Sequence, residues 1–154
     1  SKIAGDFGLV LALQNHPPVI DKGYVDVLRM AREVASPNLK VSFDARLEHT
    51  LDEAGVRKAV NEVGSLQALW HFGGEYDRGT DGITVKGDEK AMAEMLGLLD
   101  IGYKGYASFE LCHPLPVADG ETVGLSFVDK NAQLAAEYTR GILAAAKAQH
   151  ASQG

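Results

Sequence analysis

Four residues of this chain have the types and positions to meet at one divalent cation: Gln14, Asp44, His71 and Glu110. Each closes a short apolar run. Residues 9–13 (LVLAL) lead into Gln14, residues 39–43 into Asp44, residues 66–70 into His71, and residues 106–109 into Glu110. Two carboxylates, an imidazole and an amide oxygen form a mixed oxygen and nitrogen donor set. Such a set suits Mn²⁺, Mg²⁺, Co²⁺ or Zn²⁺. Each residue also has a plainer reading. Asp44 could cap a turn, and His71 could be a satisfied core histidine. Glu110 is harder to set aside, because a carboxylate inside an apolar segment needs a partner or a metal. The plain readings together require the same coincidence at strand after strand.

The elements that carry these residues alternate. The apolar runs read as buried strands. Between them, residues 21–35, 51–63, 88–99 and 129–148 read as helices. Val25, Leu28, Ala31, Val34 and Ala35 form the apolar face of the first, Met92, Met95, Leu96 and Leu99 that of the third. Ala132, Ala135, Tyr138, Ile142 and Ala145 form that of the last. Thr50 and Glu53 are placed to form a capping box at the second helix. Residues 73–87 are polar and glycine-rich and read as a loop. Residues 1–7 read as the tail of a helix closed by Gly8, so the chain is expected to start partway through a domain.

Strand and helix, four times over, call for a parallel sheet covered by helices. An open doubly wound sheet would carry a glycine-rich phosphate loop after its first strand. Gln14-Asn15-His16-Pro17 stands there instead. The alternative is a (β/α)₈ TIM barrel. A full barrel takes about 250 residues, so 154 residues and four units make about half of one. In both architectures ligands bind at the C-terminal strand ends, where the four candidate residues sit.

Composition narrows the partners. A net charge of -6 and no run of Lys or Arg argue against nucleic acid. No apolar run approaches the roughly 20 residues that span a bilayer. The single cysteine, Cys112, excludes an internal disulfide framework and fits a reducing, cytoplasmic compartment.

At the same residues the chain resembles the xylose isomerase-like superfamily of sugar isomerases and epimerases. Residues 11–16 (LALQNH) resemble that family's LALENH strand end, and residues 36–44 (SPNLKVSFD) its SPNLGVNFD. Residues 71–78 (HFGGEYDR) are similar to HVGENNR with one extra glycine, and residues 100–110 (DIGYKGYASFE) to EIGYDGYVSVE. The series follows the order of the family's last four βα units and covers nearly the whole chain. It implies a C-terminal half barrel, with Asp44, His71 and Glu110 as metal ligands and Mn²⁺ first among the ions. Arg78 would contact a substrate hydroxyl, joined by His16 and His49 as further substrate-binding candidates. Two departures matter. The family's first ligand, a glutamate, is Gln14 here, and the histidine often found three residues after the aspartate is Leu47, with His49 near but out of register.

The family's chemistry is proton movement beside a carbonyl through an enediolate. Its epimerases use two glutamates as bases on opposite faces. A glutamine cannot accept a proton at neutral pH, so one-base chemistry by Glu110 is expected, with His16, Glu75 or His113 returning a proton. That admits a sugar or keto-sugar isomerase or epimerase. It equally admits a lyase or dehydratase on an oxidised sugar, including the C-glycoside-cleaving subunits. Gln14 favours a different class, a non-catalytic sugar-binding barrel. Half a barrel would expose two sheet edges, so a chain or segment supplying the other half, and an oligomer, are expected.

Overall fold

Side-chain alternation along four short parallel strands sorts this chain into a face that packs on helices and a face that carries the polar residues. The computed structural model describes residues 1–73, 76–79, 82–85, 90–110, 117, 120 and 122–153. Helix α1 (Lys2–Asp6) precedes strand β1 (Leu11–Gln14), helix α2 (Tyr24–Val34), strand β2 (Leu39–Ser42) and helix α3 (Glu53–Val63). Strand β3 (Leu69–Gly73) follows, then a hairpin of β4 (Tyr76–Gly79) and β5 (Gly82–Val85). Helix α4 (Ala91–Asp100), strand β6 (Tyr106–Glu110) and helix α5 (Leu125–Gln153) complete the order.

β1 pairs in parallel with β2, from Leu11 opposite Leu39 to Gln14 opposite Ser42. β3 pairs in parallel with β6, from Leu69 opposite Tyr106 to Gly73 opposite Glu110. One parallel bridge, Val41 to Gln67, joins the two pairs, and Ala68 N donates to Val41 O at 2.9 Å. Neighbouring strands thus follow chain order, without the reversal of a doubly wound sheet. Among the described residues, nothing pairs with the outer edges of β1 and β6. Leu11 and Tyr106 on those edges are exposed, Tyr106 at 84%.

Val41, Phe43, Trp70 and Phe72 alternate onto the helix side, where they pack with Val27, Val56, Val60, Leu96 and Ala146. Phe72 stacks on Tyr138 of α5 at 5.7 Å between ring centroids. Gly97 allows α4 to lie close on α3, since a Cβ there would stand 2.8 Å from Val60 Cβ. By the same alternation Ser42, Asp44, His71 and Glu110 face away from the helices. No helix among the described residues is long and apolar enough to cross a membrane.

Several local expectations change. The ladder of β1 starts at Leu11 rather than Leu9, because β2 offers Leu39 as its first partner. Leu9 and Val10 extend past it and are exposed. The buried face of α2 is Val27, Leu28 and Ala31, while Val25 and Val34 are half exposed. The stripe of α5 runs through Phe127, Asn131, Ala135 and Ala146, and Ala132 and Ala145 are exposed. Asp52, not Thr50, caps α3, its side chain accepting from Gly55 N at 2.8 Å. Leu51 N is already spent on Glu48 O, which keeps Thr50 and Leu51 in the preceding turn. Within the expected loop 73–87, Tyr76–Gly79 and Gly82–Val85 pair antiparallel. Alternating β-formers such as Tyr76, Ile83 and Val85 outweigh the flanking glycines there.

Candidate metal centre

Asp44 stands two residues past the end of β2 and is 1% exposed. Its backbone is fixed by Asn15, whose side chain continues the β1–β2 ladder one step beyond the last paired residues. Asn15 Nδ2 donates to Asp44 O at 2.9 Å, and Asp44 N donates to Asn15 Oδ1 at 2.8 Å. Asn15 Nδ2 also donates to Glu48 Oε1 at 2.7 Å. Glu48 accepts from Tyr24 N as well, and its carboxylate crowds the spot where a Cβ on Gly23 would stand. With φ at 57°, that position suits glycine twice over.

The turn reading of Asp44 holds: it caps a 3₁₀ turn, Ala45–Leu47, through Arg46 N to Asp44 Oδ1 at 3.0 Å. Its carboxylate simultaneously faces His71 and Glu110. Asp44 Oδ2 lies 3.8 Å from His71 Nδ1, and His71 Nε2 lies 3.9 Å from Glu110 Oε1. One donor atom from each of the three residues falls within 4.8 Å of the other two. Ligands about 2.1 Å from a shared ion stand about 3 Å apart at right angles, so closure draws the most widely spaced donors together by up to roughly 2 Å.

Gln14 joins this group. Its Nε2 donates to Asp44 Oδ2 at 3.2 Å and lies 2.9 Å from His71 Nδ1. In this orientation the amide nitrogen donates and Nδ1 accepts. A half-turn of the amide would replace Nε2 by Oε1, a donor suited to a cation.

Arg46, which the sequence reading passed over, bridges the two carboxylates. Nε donates to Asp44 Oδ1 at 3.2 Å, Nη2 to Asp44 Oδ2 at 2.9 Å, and Nη2 to Glu110 Oε2 at 2.7 Å. Burial alone would lower the Arg46 pKa, but the hydrogen bonds to Asp44 and Glu110 raise it above its ordinary value, so the guanidinium stays charged. Asn15 was likewise assigned no role. A polar residue in the first position after a strand, on the helix side, was the available signal.

The residues fit a divalent ion in donor type and spacing, provided Gln14 turns and Asp44 is shared between the ion and Arg46. Of the remaining candidates, His16 and His49 stand apart from this group. His16 is exposed and its Nδ1 contacts Pro17 O, and His49 is exposed. Glu75 and His113 lie outside the described residues, and so does the side chain of Arg78 on β4. Compared with models of protein families and with curated proteins, the chain matches none.

Proposed function

We propose that the chain supplies four βα units of a (β/α)₈ barrel of the xylose isomerase-like kind and carries a divalent-metal site made by Asp44, His71 and Glu110. The reaction we propose is isomerase- or epimerase-type proton transfer on a sugar or keto-sugar. The observation that carries this reading is the convergence of carboxylate, imidazole and carboxylate from three separate strands within 4.8 Å. Strands paired in chain order, with the polar residues on the face away from the helices, support the barrel. The open edges of β1 and β6 support a partner segment or chain, within an oligomer, that supplies the remaining units. In this reading the enzyme works in the cytoplasm.

A bound cation, Mn²⁺ first and otherwise Mg²⁺, Co²⁺ or Zn²⁺, would hold two vicinal substrate oxygens and polarise the carbonyl. Glu110 accepts from Arg46 at Oε2 and has Oε1 3.9 Å from His71 Nε2, and in this reading its carboxylate takes the proton next to the carbonyl. Asn15 fixes the Asp44 backbone and Arg46 its carboxylate, so little freedom is lost when substrate binds. Gln14 cannot act as a second base, and the proton returns from the Glu110 side or from another group. Elimination from an oxidised sugar starts with the same proton removal, so a lyase is the neighbouring alternative.

A non-catalytic sugar-binding barrel is the second reading. The observation in its favour is Arg46, which already pairs with both carboxylates. Calorimetric titration of the protein with Mn²⁺ separates the two. Saturable binding near one ion per site, with Mn²⁺-dependent turnover of a keto-sugar that Glu110→Gln abolishes, is the expected result. No heat of binding would favour the second reading, and full activity in Glu110→Gln would remove Glu110 as the base.

A further inference from the structure

We propose that Arg46 selects substrates bearing a carboxylate next to the reacting carbonyl. This rests on the metal-site reading above. The guanidinium has five N–H donors in a rigid plane. Nε and Nη2 are committed to Asp44 and Glu110, which hold the plane still. Among the described residues Nη1 meets no acceptor, so two of its N–H groups are unspent. The side chain is 20% exposed, so these donors are reachable at the site without lying loose on the surface.

Charge points the same way. Counting the carboxylates and the guanidinium alone, Asp44 and Glu110 bring two negative charges and Arg46 one positive. A divalent ion added to this set leaves one positive charge over, in a partly desolvated place where charges are weakly screened. A neutral sugar leaves that charge uncompensated, whereas a monocarboxylate cancels it. A carboxylate oxygen on Nη1 makes a charge-assisted hydrogen bond, the strong kind, on a donor whose position is already fixed. A glutamate at position 14 would remove the surplus; Gln14 preserves it.

The test uses two ligands that differ only at C1, D-fructose and 2-keto-D-gluconate, titrated by calorimetry into Mn²⁺-loaded protein. The wild type is expected to bind the acid at least about tenfold tighter than the ketose. Arg46→Met should bring the two affinities within about twofold of each other while tightening Mn²⁺ itself, because a competing cation is gone. Arg46→Lys keeps the charge without the fork and should retain part of the preference. Arg57→Met, far from the trio, should retain all of it and controls for general damage. Equal affinities in the wild type, or a preference that survives in folded Arg46→Met, would overturn the proposal while leaving the metal site standing. If Mn²⁺ binds neither wild type nor Arg46→Met, the metal reading fails and this inference falls with it.

Discussion

Arg46 and Arg57 each clamp a carboxylate, and the contrast between them separates a support from a site. Arg57 of α3 donates from Nε and Nη2 to Asp100 of α4 at 2.6 and 2.8 Å, and from Nη1 to Gln153 of α5 at 3.3 Å. All its nitrogens are spent on holding three helices together. Asn61 and His150 add to the same carboxylate. Arg46 also makes a fork, but on an almost fully buried aspartate and a second carboxylate from a different strand, with Nη1 left over. A structural clasp uses up its donors. A binding site keeps some in reserve and pays with charge crowding that folding alone would not select.

The largest effect that sharpens this contrast is at the trio. Asp44→Asn should weaken Mn²⁺ binding by at least about 100-fold, since it removes a ligand charge and the anchor of Arg46 together. Arg57→Ala should leave Mn²⁺ affinity unchanged, and calorimetry on the two variants reads both. A comparable loss in each would erase the distinction.

Next in size is the support beneath Asp44. Asn15→Ala strands the Asp44 backbone N–H and C=O and takes one of two donors from buried Glu48 Oε1, at a cost of about 3 kcal/mol and a fall in Tm of about 10 °C. Arg57→Ala, on the surface, should cost below about 1 kcal/mol. Thermal unfolding of the two variants should therefore rank them clearly, and the reverse order would contradict the account of Asn15.

The smallest effect is a pH dependence at the helix clasp. The hydrogen bonds from Arg57, outweighing burial and helped by Asn61 and His150, hold the Asp100 pKa down at about 2 against 3.8 for the free group. A lowered folded pKa means stability that is complete above about pH 4 and lost as pH falls from there through about 2. Solvent screening keeps this below about 1 kcal/mol. Urea midpoints of wild type and Asp100→Asn should run parallel above pH 5 and converge below pH 4. Curves that stay parallel to pH 2 would remove the clasp's electrostatic part.

Strand identity was legible because short apolar runs stop at polar residues, but the third strand lies at Leu69–Gly73 rather than residues 66–70, with Leu66 in a 3₁₀ turn and His71 inside the strand instead of after it. The polar stops placed Asp44, His71 and Glu110 before any coordinate was known, and alternation put them on one face. What escaped notice depends on side-chain reach or on competition for a backbone group. Arg46 stands two residues after Asp44, past the strand, and its length lets it turn back onto the aspartate and across to Glu110, 64 residues on. Asn15 looks like loop until its amide is seen imitating a strand residue. Thr50 and Asp52 are equally good caps in sequence, and only the prior use of Leu51 N by Glu48 decides between them.

The central claim is most directly met by diffraction from crystals grown with Mn²⁺, using the anomalous signal of the ion. The account predicts one strong peak at coordination distance, about 2.2 Å, from oxygens of Asp44 and Glu110 and a nitrogen of His71. Density there filled by the Arg46 guanidinium alone, with the manganese elsewhere or absent, would contradict it.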